Sequence, residues 1–252
     1  MSAATFDDLT DLYDALIDWP QRLANEEPFF RRVLAEAQAK SLLDVACGTG
    51  RHAAMFHAWG LRVEGADVSP NMIGRARAAF GEPPGLGWAV RGFTEPAGAP
   101  RDSPAGFDAA VCIGSSLALA PDLAAVRQAI NRMFACLRPA GVVIVQLLNL
   151  WRLEDGPCLW QKCLRTTLPQ GEVLALKGVH RSGGRGFVEL VVLRPSGGPP
   201  LVCESLPLVG IEAPDLEEAA RHAGASQVQL LGDYHGHPYD RARSIDLVMV
   251  AR

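Results

Sequence analysis

Residues 42–50 read Leu-Leu-Asp-Val-Ala-Cys-Gly-Thr-Gly, and this stretch decides how the rest of the chain is understood. Leu42, Leu43, Val45 and Ala46 form a short apolar run with the composition of a buried strand, ending at Gly48, Thr49 and Gly50. Arg51, His52, Ala53, Ala54 and Phe56 then resume as a helix. Strand, glycine turn and helix in that order let a ligand touch bare backbone, because glycine has no Cβ and accepts a positive φ. Asp44 sits inside the strand, where a carboxylate is costly unless the following turn donates hydrogen bonds to it. Asp67 closes the next apolar segment, Leu61 to Ala66, where an acidic side chain can take the two hydroxyls of a ribose. Gly48, Gly50 and Ala53 also satisfy a Gly-x-Gly-x-x-Ala dinucleotide pattern, so a nicotinamide-dependent oxidoreductase stays open at this point.

Composition narrows the classes. The chain has 252 residues, 48% of them hydrophobic and 21% charged, which suits one domain with a large core or one with a sizeable insertion. The net charge is -4 and no basic run is present, so a nucleic-acid surface is not expected. Only Lys40, Lys162 and Lys177 are lysines, and arginine is spread along the chain. The amino-terminal segment lacks a basic stretch followed by an apolar core, and the longest apolar run, residues 141–148, is far shorter than the roughly 20 residues a bilayer requires. A cytoplasmic enzyme that makes no membrane contact is the expectation. The six cysteines lie mostly in apolar surroundings and read as buried reduced thiols.

Ahead of the first strand, residues 6–18 and 22–38 read as two helices separated by a breaker at Asp18-Trp19-Pro20-Gln21-Arg22. This cap carries Tyr13, Trp19 and Arg22, which could close over a bound cofactor; Tyr13 and Trp19 read equally well as packing residues. After the glycine turn, helix 51–59 stops at Gly60, strand 61–66 follows, and Ser69-Pro70 opens a helix that ends at Gly81. A third strand spans 86–90, followed by Arg91-Gly92-Phe93-Thr94, and a proline- and glycine-rich connection over 95–106 leads to a fourth strand, 107–113. Helix 122–137 and strand 142–148 complete the alternation. Gln146 and Asn149 at the end of that strand are candidate acceptor contacts, or caps of the strand end.

Residues 151–211 break the αβ pattern. Three strand-like runs, 173–181, 186–194 and 201–211, predict an antiparallel sheet that roofs the crevice and offers His180 and Arg181, unless both face solvent. Helix 215–223 and strands 227–231 and 244–250 close the chain. The connector between the last two strands has no helical stripe and cannot easily supply the crossover a parallel pair needs, so the last strand should run antiparallel. The expected architecture is α/β: a seven-stranded, mostly parallel Rossmann-like sheet with an antiparallel last strand. Four segments follow from it: a cap over 1–40, a core over 41–150, an inserted sheet over 151–211 and the remainder of the core over 212–252.

Asp-Val-Ala-Cys-Gly-Thr-Gly at 44–50 with Val-Glu-Gly-Ala-Asp-Val-Ser-Pro-Asn-Met at 63–72 resembles the first two motifs of the class I S-adenosylmethionine-dependent methyltransferases. Residues 107–122 are similar to the glycine and sarcosine N-methyltransferase group, with Ser115 in place of an asparagine, and Leu-Arg-Pro-Ala-Gly at 137–141 resembles a wider methyltransferase feature, with Ala140 in place of a glycine. Nicotinamide folds complete a second parallel half, so the antiparallel last strand favours this resemblance. It implies S-adenosylmethionine as cofactor, with S-adenosylhomocysteine as product. The cofactor contacts it implies are Tyr13, Trp19, Arg22, Asp44, Ala46, Gly48, Gly50, Asp67, Val68, Met72, Gly92, Phe93, Ile113 and Ser115, with Arg22 on the carboxylate. Tyr13, Asn149 and His180 are the candidates for catalysis on a small, amino-acid-like amine. O-methylation of a small metabolite, an oxidoreductase and a catalytically silent cofactor-binding subunit are the competing readings. Many relatives carry an acid at the position of Phe93, which leaves the adenine amino group without its usual partner. The pair His235 and His237 is not expected to hold a metal. Neither monomer nor homo-oligomer is indicated.

Overall fold

The computed structural model describes residues 10–98, 106–168 and 171–252. The chain opens with α1 (Thr10–Leu16) and α2 (Trp19–Glu36). The expected start of the first helix at Phe6 lies outside the described residues. Helix α2 begins three residues earlier than anticipated, because the supposed breaker is its cap. Asp18 Oδ1 accepts from the Gln21 amide at 3.2 Å, and Pro20 occupies the first turn, where no amide donor is required.

Next come β1 (Ser41–Val45), α3 (Arg51–Ala58), β2 (Arg62–Asp67), α4 (Pro70–Phe80), β3 (Leu86–Val90), β4 (Phe107–Cys112), α5 (Leu123–Ala135) and β5 (Leu137–Leu148). Four strands follow without an intervening α-helix: β6 (Leu159–Leu168), β7 (Gly171–Ser182), β8 (Arg185–Leu193) and β9 (Val202–Val209). The chain ends with α6 (Ala213–His222), β10 (Val228–Leu231) and β11 (Asp246–Ala251).

One sheet has the order β10-β11-β5-β4-β1-β2-β3. Strand β1 is parallel to both β2 and β4, β4 is parallel to β5, and β11 runs antiparallel to β5 with Met249 opposite Val145. The expected seven-stranded sheet with an antiparallel last strand is therefore the observed one. The order in which strands are added reverses between the parallel neighbours β1 and β4, which opens a crevice at their carboxyl ends. On one face Leu42, Val111 and Ile144 bury Phe29, Phe30 and Val33 of α2 and Phe56 of α3. On the other, Leu43, Val143 and Val145 bury Val126, Ile130 and Met133 of α5 and Leu216 of α6. Each such side chain contributes about 1.5–3 kcal/mol relative to exposure.

The second sheet has the order β6-β7-β8-β9, one strand more than the sequence suggests. Strand β6 escaped notice because most of its residues are exposed and it lacks an apolar alternation. One face of this sheet packs Val173, Ala175, Leu190 and Val192 against Leu12 and Leu16 of α1. Farther along, Val179 and Leu208 join the main core. The inserted sheet, the expected roof, is thus tied both to the amino-terminal cap and to the main core. No helix among the described residues is long and apolar enough to cross a membrane.

Candidate active site

The glycine turn is built as its composition requires. Gly48 has φ 55° and Gly50 has φ 79°, conformations that disfavour any side chain. A Cβ at Gly50 would lie 2.5 Å from the Trp88 ring, so the turn is packed from beneath. The Gly48 amide donates to Asp67 Oδ2 at 2.9 Å, and Asp67 Oδ1 accepts from the Ser69 amide at 2.9 Å, which pins the end of β2 beside the turn. Ala46 at the end of β1 and Ser115 just past β4 also sit in the left-handed region, at φ 58° and 64°. Non-glycine residues held there store backbone strain, and both flank the crevice.

Asp44 is 2% exposed, and its Oδ2 atom has no hydrogen-bond partner. Burial, reinforced by the Asp67 charge, pushes its pKa up to about 8, only partly offset by a hydrogen bond from the Ala53 amide and by Arg22. Without a ligand this carboxyl keeps its proton at neutral pH.

The cap closes on the turn through a residue that sequence reading passed over. Asp14 accepts from Thr49 Oγ1 at 2.7 Å, from Trp19 Nε1 at 3.0 Å and from Arg51 at 3.3 Å. Trp19 is buried, with its indole N–H committed to Asp14, so it packs the cap instead of facing a ligand. Tyr13 lies over the turn: a Cβ on Gly48 would be 3.6 Å from its ring. Burial pushes the Tyr13 pKa up to about 12, with Arg22 opposing and Asp67, Asp14 and Asp44 adding to it. A phenol at that value is a hydrogen-bond donor at neutral pH.

Arg22 donates from Nε to Glu26 Oε1 at 2.9 Å, and Glu26 Oε2 meets His52 Nε2 at 2.5 Å. Burial would raise the Glu26 pKa, but His52 and Arg22 hold it below the usual value. An ionised carboxylate only accepts, so His52 donates from Nε2. Burial lowers the His52 pKa despite Glu26. This buried chain fixes the guanidinium against the end of β4, where a Cβ on Gly114 would be 3.5 Å from Arg22 Nη2.

On the β5 side, Gln146 Oε1 accepts from the Gly114 amide and its Nε2 donates to Asp246 Oδ1, both at 2.8 Å. Ser115 Oγ accepts from the Leu148 amide at 2.7 Å. Asn149 is 2% exposed and fully used: Nδ2 donates to the Arg241 and Ser244 carbonyls, and Oδ1 accepts from the Trp151 amide and Tyr239 hydroxyl. It caps the strand end and has no atom left for an acceptor, which corrects the catalytic expectation. His180 is corrected as well. It alternates with buried Val179, stacks on Phe187 at 4.9 Å and lies 3.3 Å from Glu189, on the face of the roof turned away from the crevice. Arg181 holds the base of the roof through the Leu153 carbonyl and Asp155.

Residues 42–141 match a methyltransferase domain family. Over this stretch the chain is similar to the S-adenosylmethionine-dependent methyltransferases. The chain is 37% identical over 156 residues to a glycine/sarcosine N-methyltransferase of Parasynechococcus marenigrum (strain WH8102), covering 60% of this chain and 52% of that one. It is 32% identical over 144 residues to a dTDP-4-amino-2,3,4,6-tetradeoxy-D-glucose N,N-dimethyltransferase of Saccharopolyspora spinosa, covering 55% and 54%. The X-ray structure of the sugar N-methyltransferase KedS8 from a Streptoalloteichus species superposes with a TM-score of 0.70 at 26% identity, covering 91% of this chain and 88% of that one. The chain spans about half the length of the curated relatives it matches.

The methyltransferase domain fits its cofactor: a bare glycine turn, a carboxylate at the end of β2, and the unpartnered buried oxygen of Asp44 all face one crevice. Beyond Asp67, Val68 is 53% exposed, and a Cβ on Gly92 would lie 3.8 Å from Val68 Cγ2, so the two form an open apolar edge. Met72 and Ile113 are buried, and Phe93 packs against the core, so these three shape the walls from behind. Two residues past Phe93, Glu95 Oε1 accepts from the Gly92 amide at 2.9 Å. Asp233 was overlooked beside the histidine pair. It gathers the amides of His235, Gly236 and His237, and its Oδ2 lies 2.6 Å from His237 Nδ1.

Proposed function

We propose that this chain is an S-adenosylmethionine-dependent N-methyltransferase acting on a small, amino-acid-like amine. The observation that carries the reading is Arg22, a half-buried cation fixed by Glu26 at the mouth between the glycine turn and the end of β4. It is placed for a carboxylate, and a methionine-derived cofactor presents one. In the same reading Gly48 and Gly50 offer bare backbone, Asp67 takes the ribose hydroxyls, and Val68, Gly92 and Glu95 receive the adenine. Asp44 lies where a cationic group would draw it into its ionised form. The similarity to N-methyltransferases of glycine, sarcosine and amino sugars supports nitrogen as the acceptor atom.

When bound, S-adenosylmethionine supplies an electrophilic methyl group. The chain's task is then alignment and proton handling. The roof sheds water from the crevice. Asp246 lies at the crevice end of β11, opposite Leu148, with Oδ1 held by Gln146. Burial pushes its pKa up to about 6, so it is ionised at neutral pH and can accept an N–H of the amine. Transfer of labelled methyl to a panel of amines, phenols and carboxylates tests the reading. Methylation of amines is expected, and a purely oxygen-directed profile would refute it.

A further inference from the structure

The inner face of the roof contains a charge that its surroundings do not neutralise. Residues 173, 175, 177 and 179 of β7 share one face, and three of them, Val173, Ala175 and Val179, are buried at 1% exposure or less. The fourth is Lys177. Towards one end of β7 that face packs on α1, and towards the other it joins the main core, so Lys177 stands in the gap between, over the crevice. No carboxylate among the described residues pairs with it. Directly across on β6 is Lys162, a second lysine in a chain that has three. Like charges opposite one another on neighbouring strands are destabilising, and an aliphatic side chain would fill the position at less expense.

We propose that Lys177, with Lys162 beside it, is the contact through which the roof recognises an anionic group, a carboxylate or a phosphate, on the methyl acceptor. This rests on the methyltransferase reading. The Lys177 ammonium is shifted towards its neutral form by burial and by the facing charges of Arg22 and Lys162, the environment of a cation awaiting an anion. A bound anion would reverse all three effects through a charge-assisted hydrogen bond. Arg22 is already tied to Glu26 and assigned to the cofactor, whereas Lys177 has no such partner among the described residues.

The test uses the full chain saturated with S-adenosylhomocysteine, whose own binding is measured first. Calorimetry then compares glycine with glycinamide and thymidine diphosphate with thymidine, pairs that separate carboxylate from phosphate as the source of the anion. The wild type is expected to bind at least one anionic member tenfold or more tightly than its neutral partner. Lys177→Met should erase that preference while its affinity for S-adenosylhomocysteine stays within twofold and its melting temperature is not lowered; Lys177→Arg should keep most of the preference. Failure of every anionic probe to bind, equal binding of charged and neutral members, or a preference surviving in Lys177→Met would each overturn the proposal. If S-adenosylhomocysteine itself does not bind, the methyltransferase reading fails with it; if it binds and the preference is absent, only the role of Lys177 is lost.

Discussion

Replacing Asp44 with asparagine should make the ligand-free protein more stable, and increasingly so as the pH rises. The side-chain amide reproduces the shape of the protonated acid but cannot ionise. In the wild type the carboxyl pKa goes from 3.8 in the unfolded chain to about 8 in the fold. Below about pH 4 both states hold the proton, and the group contributes fully. Between about pH 4 and 8 only the folded state holds it, so unfolding releases a proton and stability falls by about 1.4 kcal/mol per pH unit. The rise from 3.8 to about 8 bounds the total loss at about 6 kcal/mol. The Asp44→Asn variant lacks this slope. Urea unfolding of both proteins at pH 5, 6, 7 and 8 should show midpoints that diverge steadily, with the variant ahead. Saturating S-adenosylhomocysteine should narrow the gap, because a cationic group beside Asp44 favours the ionised form that asparagine cannot adopt. Its binding to the wild type near pH 7 should then release a proton, seen as an enthalpy that varies with buffer ionisation heat. Parallel pH profiles for the two proteins would refute both the burial argument and the assignment of Asp44 to the site.

Gly50→Ala combines a left-handed backbone with a Cβ 2.5 Å from Trp88 and should destabilise by about 3 kcal/mol, lowering Tm by roughly 5–10 °C in a scanning calorimeter. Arg22→Ala should weaken S-adenosylhomocysteine binding roughly 10- to 100-fold by calorimetry, the worth of a charged hydrogen bond of about 1.5–3 kcal/mol; unchanged affinity would end its assignment to the carboxylate. Asn149→Ala removes four hydrogen bonds from a buried strand end and should cost roughly 3 kcal/mol in urea unfolding. His180→Ala should leave the methylation rate within twofold, since the ring faces away from the crevice.

What could be read from the chain was what short-range chemistry dictates. Gly48 and Gly50 announce a turn because no other residue adopts their conformation cheaply, and Ser69-Pro70 announces a helix because the serine caps and the proline needs no donor; the serine side chain does accept from the Met72 amide. The antiparallel last strand followed from a connector too poor in helix to cross over. What could not be read was which side chains meet across distance. Asp14 finds Thr49 from 35 residues away, and Asp108 accepts from Ser41 67 residues away. The face that His180 presents depends on the register of β7 against β8, and the exhaustion of Asn149 on three partners that lie 90 or more residues downstream. Proline at position 20 misled because a breaker and a first-turn proline look alike until the cap beside it is seen.

These distant contacts explain why the crevice can be both strained and ordered. Positive φ at Ala46 and Ser115, a proton held on Asp44 and the charge repulsion at Lys177 all oppose folding at one place. The opposing weight comes from elements that do not touch a ligand. Helix α1 buries Leu12 and Leu16 in the roof while Asp14, midway between them on the opposite side of the helix, grips Thr49 and Arg51 of the turn. One short helix therefore carries the mechanical link between roof and cofactor turn. A ligand that contributes a cation near Asp44 and an anion near Arg22 relieves strain on the turn, and an anion at Lys177 relieves it on the roof. Because α1 contacts both, saturating S-adenosylhomocysteine is expected to tighten acceptor binding, and calorimetric titrations in either order that give the same acceptor affinity would refute that coupling.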